Sequence, residues 1–257
     1  MVTLKKPDEI DKMKLAGGVV ANAHKLMREM VCPGIDTLSL DEAVEELIIR
    51  ENALPSFKGY RVPGIKTPFP GAICVSINEE VVHGIPSRER VLKEGDIVSI
   101  DVGAFKDGYH GDAACTYPVG EHISAERERL METTLEALHI GLSCVKPGNT
   151  IGDIGAAIEK WVRARGCGLV RDYAGHGIGR RMHEAPQVPN YGRAGNGMIM
   201  KAGMTFCVEP MVMSGAEPVR STDNGWTVVT KDGSDSAHFE HTLLVTEDGV
   251  MILTPWE

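Results

Sequence analysis

Apolar residues recur at helical spacing from the start of the chain. Ile10, Met13, Val20, Ala23, Met27 and Met30 fall on one stripe, so residues 7–30 are predicted to form a helix that the Pro33-Gly34 turn stops. A second helix is predicted over 39–51, with Ser39 as its N-cap and acids in its first turn. The same helix pair recurs at 124–143 and 152–165. After each pair the period shortens. Residues 97–105 (IVSIDVGAF) and 109–119 (YHGDAACTYPV) flank Lys106-Asp107-Gly108 and read as a hairpin. Residues 205–212 (TFCVEPMV) read as one strand, and 239–246 with 250–254 as a last hairpin around Glu247-Asp248-Gly249. The expected class is α/β of the α+β type, an antiparallel sheet with helices covering one side.

The pattern repeats. VCPGIDTLSLDEAVEELI (31–48) aligns without a gap on VKPGNTIGDIGAAIEKWV (145–162), and KEGDIVSID (93–101) on KAGMTFCVE (201–209). His110-Gly111-Asp112 aligns on His238-Phe239-Glu240. Three matches in one order predict two related halves, roughly 1–120 and 121–257.

That repeat gives the acids a meaning. Asp101 lies on the strand face opposite Val98, Ile100 and Val102, and Asp112 on the return strand is expected to face it across the hairpin. Glu209 ends a strand and Glu240 begins one, at the positions matching Asp101 and Asp112. A pseudo-twofold would bring all four together between the halves. Uncompensated, each buried ion costs several kcal/mol, and the sum would rival a domain's whole stability of roughly 5–15 kcal/mol. Divalent cations remove the conflict, and oxygen-rich clusters of this kind hold two metals about 3.5–4 Å apart. His176 and His183, in the Gly-rich loop 173–186, and His83, whose His-Gly-Ile echoes that of His176, are expected to complete the centre.

Composition narrows the class further. The formal net charge is −9, which argues against nucleic acid and hence against DNA as a partner. Lys5, Lys6, Lys12 and Lys14 read as a solvated helix face. Six cysteines without a CxxC are expected to be reduced thiols of a cytoplasmic protein. No apolar run follows the N-terminal lysines, so no signal peptide is expected, and no stretch suits a membrane span.

The segments AICVSINEEVVHGIP (72–86), DGYHGDAACTYPVG, GHGIGRRMHEAPQVPNY, GMTFCVEPMV and GWTVVTKDGSDSAHFEHTLLVT together resemble the type I methionine aminopeptidases in their short bacterial-type form, from about residue 3 to 254. The resemblance implies a pita-bread fold, with residues 1–257 as a single catalytic domain. It implies two divalent ions (Co, Mn, Fe, Zn or Ni), with Asp112 and Glu240 bridging, Asp101 on one ion, and His176 and Glu209 on the other. It makes Glu209 the proton shuttle, His183 a stabiliser of the tetrahedral anion, and His83 a contact to the scissile amide. It places Tyr60, Phe69, Cys74, His83 and Trp226 around the methionine side chain, with His183, and Met182 where many relatives carry Phe. The segment 58–70 looks longer than in many relatives. A structural monovalent cation near Asn78 and Ser236 is a further expectation. The implied partners are nascent polypeptide N-termini, with a small second residue preferred, and the ribosome; a monomer is expected. Enzymes for Xaa-Pro peptides on the same fold would share the ligands, but commonly carry a sizeable extra N-terminal domain.

Overall fold

The computed structural model describes residues 2–256. Helix α1 (Pro7–Met30) opens with Pro7, whose fixed φ and missing N–H suit a first helical position. The Lys6 N–H donates to Glu9 Oε2 (3.0 Å), closing the helix start. Its buried face carries Met13, Ala16, Val20, Ala23 and Met27, close to the predicted stripe. Helix α2 (Thr37–Arg50) starts two residues before the predicted point. Asp36 is its N-cap, and the Ser39 N–H donates to Asp36 Oδ1 (2.9 Å), so Ser39 lies in the first turn instead of capping it. Helices α3 (Ala125–Ser143) and α4 (Ile151–Ala164) repeat the pair. Lys5 departs from the solvated-face reading: it is buried and pairs with Glu184 at 3.2 Å.

The first half is built on a four-stranded antiparallel sheet in which Ile97–Lys106 pairs with Leu54–Pro55, Ile73–Ile77 and Tyr109–Pro118. The second half holds a five-stranded antiparallel sheet in the order Val250–Ile252, His241–Val245, Thr205–Val208, Gly175–Gly177, Glu184–Val188. Two three-stranded sheets complete the fold; in one, Glu80–Val82 of the first half pairs with Val228–Thr230 of the second. The halves are also stitched strand to strand. Glu240 N donates to Ala114 O (2.9 Å), Asp112 N to Thr242 Oγ1 (3.0 Å), and Thr116 Oγ1 to His238 O (2.9 Å). This is the expected pita-bread arrangement.

Helix α1 lies close on the first sheet. A Cβ on Gly17 would sit 1.9 Å from the Leu253 carbonyl, and one on Gly111 would sit 2.8 Å from Gly17 N. One apolar core runs through both halves, from Val20 and Ile48 through Ile100 to Ile158 and Phe206. None of the six cysteines forms a disulfide, and among the described residues no helix is long and apolar enough to cross a membrane.

Candidate metal centre and cleft

Strand parity determines which acids meet. In the first hairpin Asp101 pairs with Ala114, and Asp112 with Gly103. The two acids are therefore diagonal neighbours on one face, two positions apart, and not directly opposed as expected. They remain close enough that, second to burial, the charge of Asp112 raises the pKa of Asp101. Glu209 and Glu240 lie outside strands. Thr205–Val208 ends before Glu209, and Pro210, lacking an N–H, breaks the ladder before Met211–Met213. The expected single strand 205–212 is thus two. Glu240 sits between Ser236–His238 and His241–Val245. Since His241 pairs with Val208, Glu209 and Glu240 follow immediately beyond the last rung, where the chains open toward the first half. His176 is held in the strand Gly175–Gly177 and not in an irregular loop.

These side chains converge. His176 Nε2 lies 3.7 Å from Asp112 Oδ2 and 3.8 Å from Glu209 Oε1. Ligand atoms of Asp112, His176, Cys207 and Glu240 all fall within 4.8 Å of one another. Asp112 and Glu240 are buried, 3% and 2% exposed. Burial, first of all, raises the pKa of Asp112 to about 7 and that of Glu209 to about 8. Burial and the neighbouring acids push Asp101 and Glu240 well above the carboxylate range. The imidazoles move the other way. Burial lowers His83 to about 4 and His183 to about 3, so both are neutral at pH 7.

A cavity of about 850 Å³ opens beside the acids. Phe69, Cys74 and Trp226 form an apolar cluster in its wall, the two rings meeting edge-on at 5.2 Å. Trp226 Nε1 donates to Thr67 O (3.1 Å), which ties the 58–70 segment to the far half. His83 lies edge-on to Trp226 and sits at φ 59°, a strained value for a non-glycine residue and common at functional sites. Tyr60 Oη and His183 Nδ1 are 2.7 Å apart. Of the predicted pocket residues, Met182 alone departs: it packs with Met13, Tyr109 and Leu253 in a buried cluster and does not line the cavity. The chain turns between Met182 and His183, so only the histidine faces the cleft.

Besides Cys207, two groups escaped the sequence reading. His238 Nε2 is 3.9 Å from both Glu209 Oε2 and Glu240 Oε2. Tyr173 meets His83 edge-on at 5.5 Å. The repeat had aligned His238 with His110, which offered a signal; His110 itself is 2.9 Å from Ser56 Oγ.

Residues 11–247 match the family model described as metallopeptidase family M24. The chain belongs to this family. It is 48% identical to methionine aminopeptidase 1 of Bacillus subtilis and 47% identical to the methionine aminopeptidase of Clostridium acetobutylicum, in each case over 99% of both chains. The crystal structure of the methionine aminopeptidase from Thermotoga maritima superposes with a TM-score of 0.94 at 47% identity, again over 99% of both chains.

The donor set suits the metal of an M24 metallopeptidase. Asp101 Oδ1, Asp112 Oδ1 and Glu240 Oε1 are buried acceptors without a hydrogen-bond donor, an arrangement folded proteins rarely tolerate. His176 Nδ1 lies 3.0 Å from Gly177 O. A neutral ring that donates there carries its lone pair on Nε2, the nitrogen facing Asp112 and Glu209.

Proposed function

We infer that this chain is a methionine aminopeptidase, which removes the N-terminal methionine from nascent proteins and peptides with a small second residue. One observation carries the reading: buried, donorless carboxylates stand beside an apolar Phe69-Cys74-Trp226 wall, on an M24 scaffold nearly half identical to methionine aminopeptidases. Two divalent ions would be held by Asp101, Asp112, His176, Glu209 and Glu240, with Asp112 and Glu240 shared between them. When bound, such a pair acidifies water and polarises a carbonyl. The oxygen and imidazole donors suit Mn, Fe, Co, Ni or Zn.

The chain's own groups do the rest. Glu209 is the base that takes the proton of the attacking water and passes it to the leaving amine. Tyr60, a phenol whose pKa burial raises, donates to His183 Nδ1. That leaves the Nε2–H of His183 to donate to the oxygen on which negative charge develops. His83 addresses the scissile amide. Phe69, Cys74, Tyr60 and Trp226 receive the thioether side chain, which suits aromatic and sulfur contacts. Because ligands come from both halves, residues 1–257 act as one catalytic domain. A monovalent cation would take carbonyl oxygens around Asn78 and Ser236, which are already neighbours through the Ser236 N–H to Asn78 O bond (2.8 Å). The working setting is a cytoplasmic monomer acting on chains at the ribosome.

The test is turnover of Met-Ala-Ser, Ala-Ala-Ser and an Xaa-Pro peptide by chelator-treated protein with each divalent ion restored. Metal-dependent release of methionine from the first peptide, well above the other two, is expected. Metal-independent turnover, or preference for the Xaa-Pro peptide, would contradict the reading.

A further inference from the structure

A second groove, of about 470 Å³, lies beside the cleft on the second half. Its walls are Ile151, Pro186, Gln187, Pro189, Tyr191 and Met198, and Gln187, Pro189 and Tyr191 also line the catalytic cavity. The two spaces therefore share a wall. Met198 in its wall is 44% exposed and the next residue, Ile199, 55%, large apolar side chains held in water. They are not on a loose tip. Ile151 N donates to Met198 O (2.9 Å), Gly152 N to Asn196 O (2.9 Å), and Ile199 bridges Thr150. Gly195 N donates to Asp153 Oδ1 (2.8 Å). Helix α4 fits so closely beneath that a Cβ on Gly152 would stand 2.4 Å from Arg193 O, and one on Gly155 2.4 Å from Tyr191 O. The walls are thus fixed in advance, which lowers the ordering cost of binding a flexible ligand.

We propose that this groove is an extended subsite for the third and later residues of the peptide being trimmed, and that it favours apolar side chains there. The inference rests on the aminopeptidase reading, because the peptide's N-terminus must lie in the adjoining cleft. A chain leaving that cleft past Gln187, Pro189 and Tyr191 meets Met198 next. Pro186 interrupts the N–H row of the edge strand Glu184–Val188, so recognition there is by side-chain surface rather than by an added strand.

The experiment compares Met-Ala-Ser-Leu-Leu-Ala with Met-Ala-Ser-Gly-Gly-Ala, using Met-Ala-Ser as the short reference, on metal-loaded wild type and on Met198→Ser and Ile199→Ser. Both substituted positions are exposed, so the fold should survive, which circular dichroism checks. Wild type should favour the Leu-Leu peptide about tenfold in kcat/KM, as burial of part of one or two leucines would give. Met198→Ser should cut that ratio severalfold and Ile199→Ser, just outside the wall, by less, while Met-Ala-Ser turnover stays within about twofold. Equal turnover of the two hexapeptides by wild type, or a ratio unmoved in both variants, overturns the proposal. Calorimetric binding of the same hexapeptides reads the ratio without turnover. Failure to cleave Met-Ala-Ser thus counts against the aminopeptidase reading, while the binding ratio still decides the groove.

Discussion

Stripping the metal should make the stability of this protein fall with rising pH. The folded state holds Glu209 at about 8 and Asp112 at about 7, against ordinary values of 4.5 and 3.8, and burial is the first cause of both. A carboxyl group whose pKa is raised on folding is more easily protonated in the native state. Its contribution is complete below the unfolded value, near pH 4, and is lost as pH climbs through 7 to 8. For Asp112 alone the rise from 3.8 to about 7 corresponds to about 4 kcal/mol. The acids interact, so their shifts do not add, and one group's worth is the conservative figure. For a chain of this size each kcal/mol moves Tm by roughly 2–4 °C. Chelator-treated protein should therefore melt on the order of 10 °C lower at pH 9 than at pH 5, relative to metal-loaded protein over the same range. Bound cations reverse the trend, because they displace the same protons and bind more tightly as pH rises. Differential scanning calorimetry with and without manganese measures the gap. A gap that stays constant or narrows with pH would refute the reasoning.

Other outcomes follow from named contacts. Glu209→Gln should lower kcat on Met-Ala-Ser by on the order of 10²–10⁴ with the circular dichroism spectrum unchanged; near-normal turnover would remove Glu209 from proton transfer. Trp226→Ala, which deletes the edge contact with Phe69 and the bond to Thr67 O, should raise KM for Met-Ala-Ser about tenfold or more, with steady-state kinetics as the check. Gly17→Ala must push a methyl group against the Leu253 carbonyl and should cost roughly 1–3 kcal/mol in a urea melt. Tyr60→Phe removes the hydroxyl facing His183 Nδ1 and should lower kcat while leaving KM within about twofold, since the ring remains; equal loss in both would assign Tyr60 to binding alone.

The sequence carried more of the centre than of its geometry. Strand alternation and the internal repeat were enough to single out Asp101, Asp112, Glu209 and Glu240, because acids set in apolar runs at matched positions of two halves have few explanations. They could not supply register. A shift of two positions in the hairpin turned an expected opposed pair into a diagonal one, since the period of a strand fixes the face but not the partner. Pro210 was the visible reason to end a strand at Glu209, yet the apolar run TFCVEPMV outweighed it. Asp36 beat Ser39 as N-cap because a carboxylate one turn earlier reached the Ser39 N–H first, a contest between two good caps that spacing does not settle. His238 and the inward-facing Met182 depend on how the halves close on each other. That is tertiary information, available only once Thr116, Thr242 and Ala114 are seen binding across the seam.

The most direct measurement is calorimetric titration of manganese into chelator-treated protein, wild type against Asp112→Asn. The account predicts two ions per wild-type chain and the loss of at least one, with affinity down about a hundredfold, once Asp112 can no longer be shared. A wild-type chain that takes up no divalent ion, or an Asp112→Asn variant that binds as tightly as wild type, would contradict it.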